Sequence, residues 1–192
     1  MAKPSHREKI LTEGLKVVHE RGFAGASVRD IVQAAGVPQG SFTNHFVSKE
    51  AFGLEIIDLY FDGTRQMVAQ TLRNTSLSPI ARVQAYVDFH KGALECAMHK
   101  GCLFGNFTAE STEHSEPIRA RLVEIYDWLT DIICFCLDEA IQAGALPMDF
   151  NSRQAALFII ASVQGAVLLA KAQRHTAALE SFSTILATNV LR

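Results

Sequence analysis

Apolar residues recur at three- and four-residue spacing along almost the whole chain, the period of a helix with one buried face. Ile10, Leu11, Leu15 and Val18 share a face of a first helix, which Gly22 stops after Glu20 and Arg21. Ser27 caps a second, in which Val28, Ile31, Val32 and Ala35 keep the helical spacing. Gly36 ends it, and Pro38 opens a third, very short helix that stops near His45 or Phe46. Ser48 caps a fourth that runs to about Asn74, with Ala51 rather than glutamate at the capping-box position. Ser78 and Pro79 start a fifth, reaching Met98, and residues 99–106, with two glycines, form a break. A short helix to His114 follows, and Ser115 and Pro117 restart a longer one that runs to Gly144. Asn151 or Ser152 caps an apolar helix to about His175, and Thr176 caps the last. No segment alternates as a strand would. The pattern predicts an all-α chain of about nine helices, with a compact three-helix head (residues 1–47) and a larger helical body (residues 48–192).

Composition adds little to that picture and excludes a good deal. The 192 residues are 48% hydrophobic and 20% charged, as expected of a globular chain. The net charge of −2 gives no global sign of a polyanionic partner, yet residues 1–50 hold seven basic and five acidic side chains, and the excess reverses afterwards. The opening residues lack the apolar core of a leader, and the uncharged stretch 154–170 is interrupted by Ser162, Gln164 and Gly165. It reads as a buried helix, so no membrane is expected. Four cysteines without a CxxC spacing predict neither a disulfide framework nor a zinc site, and the seven histidines show no metal spacing. No P-loop, GxGxxG, HExxH or GxSxG is present. Glu110, Glu113 and His114 read as helix-surface charge. The expectation is a soluble cytoplasmic protein with no catalytic residue, no metal and no cofactor.

The informative span is residues 27–49, SVRDIVQAAGVPQGSFTNHFVSK. Two short helices joined at Ala35-Gly36-Val37 fit a helix-turn-helix, with Val28, Ile31, Val37 and Phe42 packing against Ile10, Leu11 and Leu15. The outer face of the third helix then offers Gln39, Ser41, Thr43, Asn44 and His45, short hydrogen-bonding side chains suited to a major groove. Gly40 lets a base edge approach the backbone. Arg29 and Lys49 bracket this surface as phosphate contacts, and Ser27 joins the same set. Spacing alone leaves DNA binding and an ordinary polar helix face equally open.

Residues 7–60 resemble the N-terminal domain of the TetR family of transcriptional regulators. The resemblance rests on Ile10-Leu11, Arg21-Gly22-Phe23, Ser27-Val28-Arg29-Asp30-Ile31, Ala34-Ala35-Gly36-Val37, Gly40-Ser41-Phe42, His45-Phe46 and Ser48-Lys49-Glu50. It implies a homodimeric repressor that binds a palindromic operator in double-stranded DNA and releases it when a small-molecule effector enters the C-terminal part. Thr43 departs from the family, which commonly has a tyrosine there that contacts the DNA backbone; energetic weight is expected to shift to Lys49 and Asn44. The alternative is a helical ligand-binding or scaffolding protein that has lost specific DNA binding.

Beyond Tyr60 the resemblance is weak and the reading is physical. Symmetry calls for a dimer, since two recognition helices must meet half-sites about 34–36 Å apart. Phe158, Ser162, Ala166 and Leu169, then Phe182 and Leu186, form the expected interface, with intramolecular core the equal alternative for any one of them. Tyr60, Met67, Phe89, Phe104, Phe107, Trp128 and Phe135 are candidate apolar walls of an effector pocket, with His90 and Gln164 as polar points. The set favours a hydrophobic or aromatic effector. Cys102 lies in a glycine-flanked break with Lys100 two residues before it, the kind of positive charge that activates thiols. Residues 101–103 with Ala109-Glu110 are similar to a segment of a TetR subgroup with members responsive to electrophiles or oxidants, against the plainer reading of a small buried residue at a helix start.

Overall fold

The computed structural model describes residues 5–192, and the opening tetrapeptide read above for a leader lies outside them. The helices are α1 (His6–Arg21), α2 (Val28–Ala34), α3 (Gly40–His45), α4 (Lys49–Gln70), α5 (Pro79–Ala97), α6 (Leu103–Ser111), α7 (Glu116–Gln142), α8 (Ser152–Gln173) and α9 (Ala177–Ile185). A π-helical turn, Leu186–Val190, continues α9, and no strand occurs among the described residues. The all-α class stands. Two boundaries move by four residues, and α6 ends at Ser111 rather than His114. The break before α6 closes at Cys102, four residues early, because Leu103, Phe104 and Phe107 bury an apolar face that outweighs Gly105. α4 stops at Gln70, where the Thr71 hydroxyl turns back onto the Met67 carbonyl (2.8 Å).

The chain forms two compact units, and each takes two stretches of sequence. The first comprises Met1–Gly63 and Leu103–Val123, so the helices of the expected head are joined by the first half of α4, by α6 and by the start of α7. Ile10, Gly14 and Val18 lie one helical turn apart on the buried side of α1. A Cβ on Gly14 would lie 2.5 Å from the Phe52 ring, so glycine there sets how closely α1 approaches α4. The Phe42, Phe46 and Phe52 rings form a triangle with centroids 5.1–5.3 Å apart, fastening α3 to α4. Fully burying one such ring is worth about 2–3 kcal/mol. Gly36, at φ +61°, makes the left-handed turn between α2 and α3.

The second unit comprises Thr64–Cys102 and Glu124–Arg192. Val83, Tyr86, Val87 and Leu94 of α5 are buried, as are Ile125, Leu129, Ile133, Cys136 and Leu137 of α7. Arg82 is buried and held on two sides: Nη1 donates to Glu139 (2.7 Å) and Nε to the Asn74 and Leu77 carbonyls (3.0 and 3.1 Å). That satisfies both the charge and the turn before α5. By length and composition α8 is apolar enough to cross a membrane, but its Ala155, Ala156, Ile159, Val163, Ala166, Val167 and Ala170 side is buried within this unit.

Candidate nucleic-acid interface

Local chemistry builds the helix-turn-helix. Ser27 caps α2 reciprocally: its Oγ accepts from the Asp30 amide (3.1 Å), and its own amide donates to the Asp30 carboxylate (3.0 Å). The Ser27 hydroxyl also donates to Asp30, and with Arg21 3.0 Å away these bonds hold the Asp30 carboxyl below its usual range. Ser48 caps α4 by accepting from the Ala51 amide (3.0 Å), although the acidic residue of a capping box is missing. The expected site residues therefore divide. Gln39, Gly40, Thr43, Asn44 and His45 are exposed on or beside α3, and Arg29 is exposed on α2. Thr43 donates its hydroxyl to the Gly40 carbonyl (3.1 Å) within the helix, which leaves it free to accept but not to donate to a partner unless that bond breaks.

Three residues of the set stand elsewhere. Ser41 is buried, with Oγ 3.3 Å from His6 Nδ1 of α1. It takes the inner side because α3 has only six residues, of which Ser41 and Phe42 are the buried pair. Ser27 spends its hydroxyl on the cap. Lys49 does not extend from the surface: Nζ donates to the Phe23 carbonyl (2.6 Å), lies 3.5 Å from the Ala24 carbonyl, and sits 4.8 Å from the Phe23 ring centroid. Burial lowers its pKa, and the charge of Glu110 works the other way. Among the other described cations of residues 5–50, Arg7 pairs with Glu55, Lys16 with Glu13 and Arg21 with Asp30.

Sequence reasoning missed His6, whose partner is 35 residues away, and Val47, which is 97% exposed in the turn leading into α4. It also missed what Glu110 does. That carboxylate accepts from the Ala24 amide (2.9 Å) in the loop between α1 and α2. Glu113 and His114 lie beyond the end of α6 and are exposed, so the three form no cluster on one helix.

The expected effector residues fall into both units. In the first, Phe104 and Phe107 are buried, and Tyr60 stacks edge-on between His19 (5.5 Å) and Phe104 (4.9 Å). In the second, Met67 is buried, Trp128 is half-buried with Arg73 5.9 Å from its ring, and Phe89 and Phe135 are exposed. Exposure denies those last two an enclosed wall within the single chain. His90 Nδ1 lies 2.9 Å from the Tyr86 carbonyl, which fixes the proton on Nδ1 and leaves Nε2 as an acceptor. Burial pushes the His90 pKa down and that of the fully buried Tyr86 phenol up, with Cys102 and Tyr126 adding to the latter. The Gln164 amide donates toward Cys102 Sγ at 3.6 Å. Cys96 is exposed, and burial raises the Cys134 and Cys136 thiols.

Five of the six expected interface residues meet in one place. Phe158, Ser162, Ala166, Leu169 and Phe182 line an open, apolar groove of about 350 Å³ with Gly165, Ala178 and Ile185. Leu186 is fully buried instead. Leu157, Phe158, Leu168, Leu169 and Ile185 are large apolar side chains left between 44% and 67% exposed.

Comparison with known proteins agrees over nearly the whole chain. Residues 10–56 match the family described as bacterial regulatory proteins, tetR family, and residues 79–186 match the tetracyclin repressor-like C-terminal domain. The resemblance therefore extends well past Tyr60. The HTH-type transcriptional repressor DhaR of Mycobacterium sp. (strain GP1) is 36% identical over 96% of this chain and 92% of its own length. The crystal structure of regulatory protein TetR from Rhodobacter sphaeroides aligns with TM-score 0.87 at 27% identity, covering 93% of this chain and 95% of that one. The reduced form of E. coli NemR aligns with TM-score 0.86 at 26% identity, covering 97% of each.

Proposed function

This chain belongs to the TetR family of bacterial regulatory proteins, and we propose that it is a repressor that binds a palindromic operator as a homodimer and is released by a small effector. It is a transcriptional regulator, not an enzyme. One observation carries the finer reading. Gln39, Thr43, Asn44 and His45 stand exposed at the third helix of a helix-turn-helix whose inner side, Ile31, Val32, Ser41 and Phe42, is buried. Asn44 and Gln39 suit base edges, and Arg29 suits phosphate. Lys49 contributes through the loop it holds, not as a free cation.

The dimer reading is supported by the groove between α8 and α9, whose exposed apolar residues are those a second copy would cover. The effector reading is supported by the buried Tyr86 phenol and the half-buried His90, Cys102 and Gln164 of the second unit. They suit a small, largely apolar molecule with one or two hydrogen-bonding atoms. Cys102 is in addition a candidate for modification by an electrophile or oxidant, a reading encouraged by NemR having been described in a reduced form. A cytoplasmic site of action follows from the proposed partner.

The test is selection of genomic fragments by the purified protein, with a salt titration on the best fragment. A palindromic footprint, two chains per site and a steep loss of affinity with salt are expected. Equal, weak binding to every fragment would favour the scaffolding alternative.

A further inference from the structure

We propose that Glu110, on α6 and outside the helix-turn-helix, is a positioning residue for DNA binding. It would fix the loop between α1 and α2 against the start of α4. The inference rests on the operator-binding reading above. Its geometry lies wholly within the first unit. Glu110 Oε2 accepts from the Ala24 amide at 2.9 Å. A Cβ at Gly22 would run into the same carboxylate, and Gly22 adopts φ +80°, a conformation L side chains rarely take. The two carbonyls that follow, on Phe23 and Ala24, face the ammonium of Lys49 at 2.6 and 3.5 Å. The Phe23 ring is held on one side by Phe107 of α6 (centroids 4.8 Å) and approaches the backbone of α4 at Gly53, where a Cβ would lie 2.7 Å from it.

The loop's polar groups are thus served by one acid from α6 and one base from the first turn of α4. Their charges attract, which favours the ammonium that burial disfavours. Three residues after Ala24 comes the Ser27 cap of α2, and four residues before Lys49 lies His45, the last residue of α3. One carboxylate therefore bears on both the entry to α2 and the exit from α3. Neither Glu110 nor Lys49 needs to touch DNA for either to govern how α3 is presented.

The experiment compares Glu110→Ala and Glu110→Gln with wild type and with a control on the same segment, Glu113→Ala. Glu110→Ala is expected to weaken operator binding about tenfold with an unchanged salt slope, since no phosphate contact is removed. Glu110→Gln keeps an acceptor for the Ala24 amide and should recover part of the loss. Hydrogen exchange of residues 22–27 should speed up in Glu110→Ala and remain near wild type in Glu113→Ala. Wild-type affinity in Glu110→Ala, or loss of affinity with a shallower salt slope, would overturn the proposal. If wild type binds no operator at all, the functional reading fails instead. The exchange of residues 22–27 then decides the latch by itself, and unchanged exchange rejects it.

Discussion

The outer surface of the helix-turn-helix and that of α8 and α9 are both unfinished in the single chain, in opposite senses. Around α3 the exposed side chains are polar apart from Val47, with α2 and α4 capped by Ser27 and Ser48 and the loop before α2 held by the Glu110–Ala24 bond. Along α8 and α9 the exposed side chains include Phe158, Leu168, Leu169 and Ile185, beside a groove with an almost wholly apolar lining. Water solvates the first surface at no great cost and disfavours the second. A partner at α3 must therefore compete with water for hydrogen bonds, which gives selectivity. A partner at α8–α9 gains chiefly by excluding water, which gives stability.

Four perturbations sharpen that contrast, in falling order of effect. Leu169→Glu places an unpaired charge in the apolar groove and should cost the dimer about 3–5 kcal/mol, with operator binding lost alongside. Sedimentation velocity and a footprint read both, and a dimer that persists would move the interface elsewhere. Asn44→Ala should leave the association state alone and weaken operator binding by about 1–3 kcal/mol, with relaxed preference at one base pair per half-site. Competition among single-base operator variants checks this. Ser27→Ala removes the cap of α2 and should lower folding stability by about 1 kcal/mol in chemical denaturation. The smallest effect concerns pH. Burial depresses the His90 pKa, so the unfolded chain binds the extra proton more readily. Stability is then full above about 6.5 and declines as pH falls below it. His90→Gln, which does not titrate, should flatten that decline in thermal melts between pH 7 and 5.

Legibility in the sequence followed the range of the interactions. α1, α2 and the turn at Gly36 lie where their signals put them, because a cap serine and a left-handed glycine act within three or four residues. Ser41 was misplaced because a six-residue helix is too short to show a period, and its partner His6 is remote in sequence. Lys49 looked like a phosphate contact because its acceptors are backbone carbonyls 25 and 26 residues back, which no side-chain pattern advertises. Glu110 reads as helix-surface charge for the same reason, its partner being a backbone amide 86 residues away. The groove residues could be named as a stripe, while their exposure, and the burial of Leu186, depend on how α9 turns back along α8.

If the protein binds the palindromic operator proposed for it, the brevity of α3 limits how much information each half-site can carry. Six residues rise about 9 Å, the length of about three base pairs. Three base pairs distinguish about 60 sequences, and two symmetric half-sites about 4,000, against the million or more competing positions of a genome. Direct contacts from this helix are therefore too few to single out one address. On that proposal the remainder would come from Gln39, just before α3, and from features no side chain touches: the fixed spacing between half-sites, and the ease with which the intervening DNA takes the required curvature and groove width.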